Sequence, residues 1–443
     1  MKFKSGILNV LFWSVISAAF IGPGTITTAA KAGAIFQFDL LWALSFSVIA
    51  CLVLQEASAR ITIISGMNLG QAIHKQYDKK AHKWPVIIFI LGSIVLGSAA
   101  YETGNILGAV SGISLIFGAS TQKLFVVIIC LSAFIALSLP SQKFLARMLG
   151  FIVMFMGLSF FITAIILKPD FSLVLKGSFI PNLNGLKGTG TGLLVLGLIG
   201  TTVVPYNLFL GSGISSTKQK LSEMRFGLAI AIILGGIISM AVLITGTAIK
   251  GEFSFETLAD ALSGNLGNWA LYLLGFGLFA AGFTSAITAP LASALTTRGL
   301  TGNENNPEWS NKSSNFKIVW ISVLVIGFGF GISGIKPIPV IILAQALNGF
   351  VLPFISIFLL FVVNDEKLMG KGKLNSWFSN ILMTIVVWVA IVLGLINILK
   401  AVSSLISTDI LDLQLTFIII YTISFLVCSY LFILILKTRR TLS

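Results

Sequence analysis

The segment Ala-Ala-Phe-Ile-Gly-Pro-Gly-Thr, residues 18–25, interrupts an apolar run that is otherwise long enough to cross a membrane. Proline lacks the amide hydrogen that a helix needs and clashes with the preceding turn, while glycine accepts non-helical dihedral angles. A second interruption, Gly-Thr-Thr-Val-Val-Pro-Tyr-Asn, occupies residues 200–207 of another apolar run. The sequence therefore predicts two helices that are broken near the middle of the bilayer.

The rest of the chain has the composition of a membrane protein. Of its 443 residues, 56% are hydrophobic and 10% are charged, and the mean hydropathy is +1.00, whereas a soluble domain carries about 25% charged residues. The first apolar run has no small-residue cleavage site and is interpreted as a true span. Twelve spans are predicted, near residues 8–35, 39–64, 86–114, 122–139, 145–167, 190–214, 225–249, 268–297, 317–334, 338–363, 376–399 and 412–436.

The two breaks fall in the first and the sixth predicted spans, which are five spans apart. Because five is odd, a second repeat would be inverted across the membrane relative to the first, as in transporters whose substrate site lies between broken helices. We therefore predict an all-α polytopic protein, a secondary transporter, with one transmembrane domain over residues 1–443. Its inverted repeats are predicted at about 8–167 and 190–363, with additional helices at about 376–436.

The net charge of +14 follows this topology. Twelve spans with an internal N-terminus place twenty of the 29 Lys and Arg residues in cytoplasmic segments and seven in external segments, as the positive-inside rule requires. We predict a multi-pass protein of the plasma membrane with both termini in the cytoplasm and no nucleic-acid partner. The three cysteines lie apart in apolar runs and predict no disulfide and no thiolate metal site. No nucleophile–base pair or phosphate loop occurs, so an enzyme is not expected.

Five segments of the sequence carry a resemblance to a known family. They are residues 18–25 with 31–34 in the first span, 102–105 in the third, 203–207 in the sixth, 280–285 in the eighth and Gln345 in the tenth. Together these segments resemble the signatures of the Nramp family (natural resistance-associated macrophage proteins), which transport divalent metal ions. The resemblance implies the leucine-transporter-type fold, with two inverted five-helix repeats, helices 1 and 6 broken, and helices 11 and 12 appended.

The chain departs from the family at its metal ligands. The family motif of helix 1 is Asp-Pro-Gly-Asn, and Gly22 and Thr25 stand at the positions of its carboxylate and amide. The motif of helix 6 is Met-Pro-His, and here Val204 and Tyr206 replace its thioether and imidazole. The chain is therefore interpreted as a divergent member without a transition-metal site of the family type.

The residues that remain at the breaks indicate the class of substrate. A dehydrated divalent cation at membrane depth needs anionic ligands, or several fixed oxygens and retained waters. Each half-helix N-terminus instead offers unpaired N–H groups and about half a positive charge, which favour anions. The first hypothesis is a small anion or carboxylate, with bicarbonate as leading candidate, and the alternative is a proton-coupled importer of Mn²⁺ or Mg²⁺.

The predicted substrate-binding residues lie on the two broken spans and on the tenth span. The threonine hydroxyls have a second interpretation, because they can bond back to carbonyls of their own helix instead of facing a substrate. The set is Gly22, Gly24, Thr25, Thr28, Thr201, Thr202, Tyr206, Asn207, Gln345 and Asn348.

The eighth span carries a candidate site for a coupling ion. Ala281, Thr284 and Ser285 place a carbonyl and two hydroxyls on one turn. In sodium-coupled transporters of this general fold, such a turn combines with carbonyls before the helix 1 break to bind Na⁺. Na⁺ is thus the candidate coupling ion, and no other cofactor is expected.

Proton coupling is the alternative to sodium. Glu102 in the third span matches an acidic position of the family's proton route, and it is equally compatible with a structural, hydrogen-bonded acid. Glu56 and Arg60 are four residues apart on the second span, so they can pair on one helix face as a gate or a packing ion pair. The chain is expected to act as a monomer that carries a small inorganic ion across the lipid bilayer.

Overall fold

The computed structural model describes residues 2–78, 83–139, 141–181, 189–301, 307–370, 372–406 and 414–440. Within these ranges the regular structure is helical, and no strand occurs. Nine of the described helical segments are long and apolar enough to cross a membrane, and a bent pair of helices at the first break forms a tenth. Two shorter apolar segments, Gln122–Leu137 and Val351–Val362, lie at the fourth and tenth predicted spans.

The first half of the chain contains the first five predicted spans. The first span is divided between two helices that meet at an angle of 67°. Short helices also form in two segments that are predicted only as connections, 66–84 and 168–189. The helices are α1 (Lys2–Phe20), α2 (Pro23–Phe36), α3 (Leu41–Ser65), α4 (Leu69–Tyr77), α5 (Lys83–Phe117), α6 (Gln122–Leu137), α7 (Gln142–Ile166) and α8 (Phe171–Phe179).

The second half repeats this arrangement and adds two further spans. Its first span is again divided between two helices, and a short helix lies in the predicted external connection 250–267. The helices are α9 (Thr189–Thr202), α10 (Pro205–Ile214), α11 (Leu221–Gly246), α12 (Phe255–Leu266), α13 (Trp269–Leu300), α14 (Ser314–Ile332), α15 (Pro337–Val362), α16 (Glu366–Met369), α17 (Trp377–Ile406) and α18 (Gln414–Arg440).

The short connecting helices begin at side chains that bind free backbone amides. Asn68 and Gln71 form a reciprocal capping box at the start of α4, with both hydrogen bonds at 2.9 Å. Ser254 and Thr257 form the same motif at the start of α12. The Asp170 carboxylate accepts the Ser172 and Leu173 backbone N–H groups at the start of α8. A search for long apolar runs misses these helices because capping, not hydrophobic length, defines where they start.

Glycines set the distance between α5 and α13, the third and eighth spans. A Cβ atom on Gly112 would lie 2.5 Å from the Gly275 carbonyl oxygen, and one on Gly275 would lie 2.7 Å from the Gly112 carbonyl oxygen. Helices in lipid associate through such close backbone contacts between small residues. The two backbones therefore touch here, and any side chain would separate them.

A further glycine on α5 supports the first break. A Cβ atom on Gly108 would lie 2.2 Å from Cγ of Pro23, the first residue of α2. The proline ring thus occupies the space that a side chain at position 108 would need. Through this contact, α5 fixes the start of the second half-helix.

Candidate functional site

The first break has the geometry that its sequence predicts. The chain is extended at Gly22, with φ −98° and ψ −178°, and α2 starts at Pro23. Proline suits the first position of a helix because its missing N–H would be unpaired there in any case. The predicted break of the first helix is therefore confirmed.

The second break also has an extended residue followed by a helix that starts at proline, but its two helices bend less than those of the first break. The chain is extended at Val204, with φ −94° and ψ 128°, and α10 starts at Pro205. The apolar segment Leu194–Ile214 continues through this break as one span. Gly22 has no side chain and the side chain of Val204 has no polar atom, so neither can cap the helix that it precedes.

A small cavity of about 10 Å³ lies between the two breaks, which is about the space that one water molecule needs. It receives side chains or backbone from α1, α2, α5, α9, α10 and α13. Five of the predicted substrate residues line it, together with Ser285 of the predicted coupling-ion turn. The lining residues are Ala19, Phe20, Gly22, Gly24, Thr25, Tyr101, Asn105, Thr201, Val204, Tyr206 and Ser285.

Two side chains of α10 hold carbonyls near the end of α1. The Tyr206 hydroxyl donates a hydrogen bond to the Ala19 carbonyl oxygen at 2.9 Å. The Asn207 amide Nδ2 donates to the Ile16 carbonyl oxygen at 3.2 Å, so Asn207 braces α1 and does not line the cavity. The Ala19 carbonyl lacks a helical partner because α1 ends at Phe20, and Tyr206 satisfies it, whereas Asn207 adds a second bond to a carbonyl that is already within the helix.

Two hydroxyls complete the set of bonds at the end of α1. Thr25 of α2 donates to the Phe20 carbonyl oxygen across the break. Ser285 of α13 donates to the Ala18 carbonyl oxygen at 3.0 Å. The first break is therefore closed by hydrogen bonds from α2, α10 and α13.

The remaining predicted threonines bond or pack elsewhere. The hydroxyls of Thr201 and Thr202 both donate to the Leu198 carbonyl oxygen at 3.1 Å, within their own helix. These two hydroxyls therefore bond to a carbonyl of their own helix, which is the second interpretation of the threonines. Thr28 is buried with its methyl group beside Gly197 of α9, and it is not among the residues that line the cavity.

Gln345 and Asn348 belong to α15, but their side chains lie outside the described part of the structure. Their contribution to the substrate site therefore stays a prediction.

The two hydroxyls of the predicted coupling-ion turn have different partners. Ser285 faces α1 through its bond to Ala18, whereas the Thr284 hydroxyl donates within its own helix, to the carbonyls of Ala280 at 2.9 Å and Ala281 at 3.2 Å. A hydroxyl of α13 and a carbonyl before the helix 1 break are thus adjacent. The binding of Na⁺ between them stays a prediction.

Two residues of α5, Tyr101 and Asn105, line the cavity although neither is among the residues predicted from the sequence. The ring of Tyr101 packs edge-on against Tyr206, with 5.8 Å between centroids. The Asn105 side chain is buried and faces the Glu102 carboxylate on the same helix. The signal was present in the polar segment 102–105, where only Glu102 was assigned a function.

Glu102 is fully buried beside the site but does not line the cavity. Its carboxylate faces the side chain of Asn105, one turn further along α5. Gly327 of α14 packs against it, because a Cβ atom there would lie 2.6 Å from Glu102 Cγ. A role of Glu102 in proton coupling stays a prediction.

Glu56 and Arg60 form the predicted ion pair, with 3.1 Å between Arg60 Nε and the carboxylate. Arg225 of α11 binds the same carboxylate at 2.8 Å. Arg60 also donates to the Lys373 carbonyl oxygen at 3.0 Å and to the Asn375 side chain. This network joins α3 to α11 and to the segment before α17, and it is not part of the cavity lining. Its action as a gate stays a prediction.

We expect Ser285→Ala to slow transport about tenfold without unfolding the protein, because it leaves the buried Ala18 carbonyl without its donor, a loss of roughly 1–3 kcal/mol. Ser293→Ala is the matched control, since Ser293 is buried in the same helix and bonds only its own turn, at 3.2 Å to Ala289. Initial rates in proteoliposomes and elution profiles of both variants test this. Equal rates for the two variants would show that the bond to α1 has no part in transport.

Two broken spans around a small polar cavity in a polytopic helical chain are typical of secondary transporters of the leucine-transporter type. Solved structures of this fold resemble the chain over most of its length. The chain resembles the manganese transporter of Eremococcus coleocola in complex with an aromatic bis-isothiourea substituted compound, with a TM-score of 0.74 and 20% identity over 100% of this chain and 97% of that one. It resembles MhsT in complex with L-phenylalanine (TM-score 0.61, 16% identity, 88% of this chain and 98% of that one).

The third structure is Mhp1, a nucleobase-cation-symport-1 family transporter in a closed conformation with bromovinylhydantoin bound (TM-score 0.57, 15% identity, 97% of this chain and 93% of that one). A family model described as "Natural resistance-associated macrophage protein-like" matches residues 14–400. The chain belongs to the Nramp family.

These findings confirm the predicted family, the predicted fold and the prediction that the chain is not an enzyme. They also confirm a multi-pass membrane transporter. The cytoplasmic location of the termini, the limits of the repeats and the monomeric state stay predictions.

Proposed function

We propose that this transporter carries a hard divalent metal cation, Mn²⁺ or Mg²⁺, through the cavity between the two breaks. Membership of the Nramp family and the likeness to a manganese transporter support this proposal. They favour the substrate that the sequence placed second, and they give no support to bicarbonate or sodium.

The oxygen atoms that line the cavity also support the proposal. Every polar side chain that lines it has an oxygen atom, and neither sulfur nor imidazole occurs in its lining. Oxygen ligands suit Mg²⁺ and Mn²⁺, and Mg²⁺ keeps several waters when it binds. The polar side chains are those of Thr25, Tyr101, Asn105, Thr201, Tyr206 and Ser285.

Binding would require the hydroxyls at the first break to exchange partners. In the described conformation the carbonyls of Ala18 and Ala19 are occupied by Ser285 and Tyr206, and the cavity has room for about one water. If these hydroxyls turn towards a cation, the carbonyls become ligands as well. The site would then supply neutral oxygens, and retained water would complete the coordination of the ion.

A small anion such as bicarbonate is the second candidate, and specific features of the cavity favour it. No carboxylate is among its lining residues, and among the described residues no three His, Cys, Asp or Glu side chains come together as metal ligands. Two helices begin beside it, at Pro23 and Pro205, and the N-terminus of each carries a partial positive charge. These features suit a negative charge.

The test is uptake by proteoliposomes that contain the purified full-length protein. Mn²⁺ and Mg²⁺ uptake is followed with trapped indicator dyes, and bicarbonate transport is followed as a change of internal pH. Each substrate is offered with no gradient, with a Na⁺ gradient and with a proton gradient. Empty liposomes and the Ser285→Ala variant serve as controls.

We expect saturable metal uptake that the proton gradient accelerates and no response to bicarbonate. A bicarbonate response without metal uptake would overturn the proposal and support the anion. Acceleration by Na⁺ would support the predicted sodium turn on α13, whichever substrate is carried.

A further inference from the structure

A second cavity, of about 610 Å³, lies beside the Glu56–Arg60 pair, outside the substrate site. It is bounded by α3, by the first turns of α11 and by the segment that leads into α17. Its charged lining residues are Glu56, Arg60, Arg225 and Lys373, and we refer to it as the basic pocket. The distribution of basic residues in the sequence predicts that this end of the spans is cytoplasmic.

The basic pocket has more positive than negative charge. Glu56 is its one described carboxylate, and both Arg60 and Arg225 bind it. Arg60 also donates through Nη1 to the Lys373 carbonyl oxygen and through Nη2 to the Asn375 side chain. Arg225 and Lys373 are exposed, and one carboxylate cannot balance Arg60, Arg225 and Lys373 together, so an excess of positive charge faces a ligand that enters the pocket.

The start of α17 adds a second source of positive potential. Ser376 and Ser379 line the basic pocket, and the Ser376 hydroxyl accepts the Ser379 backbone N–H at 3.1 Å. α17 runs for 30 residues, so its N-terminus carries about half a positive charge. An anion held by Arg225 and Lys373 would lie near this helix end.

Apolar side chains form the other wall of the basic pocket. Leu52 and Leu382 line it, and the lining residue Phe378 is 70% exposed. The adjacent Trp377 is half exposed and lies under the Arg439 guanidinium, 4.8 Å from the ring centroid. Exposed aromatic rings next to cationic side chains mark the boundary between lipid and water, so the pocket opens where headgroups and acyl chains meet.

We propose that the basic pocket binds the headgroup of an anionic phospholipid, with the phosphate at Arg225 and Lys373 and an acyl chain along Leu52 and Leu382. Basic pockets between transmembrane helices on the cytoplasmic side recognise acidic headgroups in this way. A soluble phosphate would use the charges and the helix end but not the apolar wall. The combination of both walls therefore favours the lipid.

The test is native mass spectrometry of the delipidated full-length protein in detergent. The protein is titrated with phosphatidylglycerol, with phosphatidylcholine of the same acyl chains, and with inorganic phosphate. The variant Arg225→Gln/Lys373→Gln is compared with Lys312→Gln/Lys317→Gln, which removes two exposed basic residues outside the pocket. Lys373→Glu alone is included because only the backbone of Lys373 contacts Arg60, so folding should be unaffected.

We expect phosphatidylglycerol to bind at least tenfold more tightly than phosphatidylcholine. The pocket variant should lose roughly thirtyfold in phosphatidylglycerol affinity, since each basic residue near a membrane contributes about 1 kcal/mol, and the control should retain its affinity. Lys373→Glu should show a similar loss. Equal binding of the two lipids, displacement of the lipid by inorganic phosphate at matched concentration, or an unchanged pocket variant would each overturn the proposal.

Discussion

Gly22→Asp is expected to lower the KM for Mn²⁺ or Mg²⁺ about tenfold relative to Gly22→Asn, because a carboxylate attracts a cation strongly where water is scarce. A side chain at this position would point into the site. Its Cβ atom would lie 2.9 Å from Ser285 Oγ and 3.5 Å from Asn105 Oδ1. Ser285 must turn aside to admit it, which is why the comparison is made between two substituted proteins and not with the unaltered chain.

The asparagine variant is the matched control, since it has the same shape as aspartate without its charge. The ratio of the two KM values, measured by dye-based uptake in proteoliposomes, therefore reports the charge alone. Active transport by the asparagine variant and none by the aspartate variant would contradict a cation substrate. That result would instead indicate an anion, repelled by the added carboxylate.

Gly112→Ala is expected to reduce the free energy of unfolding by roughly 1–3 kcal/mol, a typical cost of overpacking. The added methyl group would lie 2.5 Å from the Gly275 carbonyl oxygen and 2.5 Å from the Phe279 backbone nitrogen, and a backbone cannot turn aside as a side chain can. We expect a lower apparent melting temperature in detergent, measured as the temperature at which the monodisperse elution peak is lost.

Gly92→Ala on the same helix is the control for this experiment. Nothing lies within 4 Å of a Cβ atom at position 92, so only helix propensity changes, and alanine is favoured over glycine. We expect this variant to be as stable as the unaltered chain or slightly more stable. Equal destabilisation of both variants would show that the contact between α5 and α13 does not limit stability.

The main features of the fold could be predicted because they follow from local chemistry. Proline and glycine in an apolar run determine where α1 and α9 end, and the structure starts the next helices at Pro23 and Pro205. The length of each apolar run likewise indicates a span. Helices such as α12 were missed because their signal is a capping side chain, which a search for hydrophobic length does not detect.

The candidate site could be predicted only in part, because its contacts join distant parts of the chain. The bond of Ser285 to Ala18 spans 267 positions, and no local pattern distinguishes it from the bond of Thr284 to its own helix. For the same reason Asn105 was overlooked. Its burial beside Gly22 depends on how α5 packs against the first break, which sequence periodicity does not specify.

The bonds at the end of α1 have a consequence for alternating access, in which one group of helices rocks against another. α10 holds α1 through Tyr206 and Asn207, whereas α13 holds it through Ser285. A motion that carries α1 and α10 together as one rigid body away from α13 would break one of these three bonds. A motion that separates α1 from α10 would break two. We therefore expect α1 and α10 to rock as a unit, so that the hydrogen bond from Ser285 to Ala18 breaks and re-forms in each transport cycle.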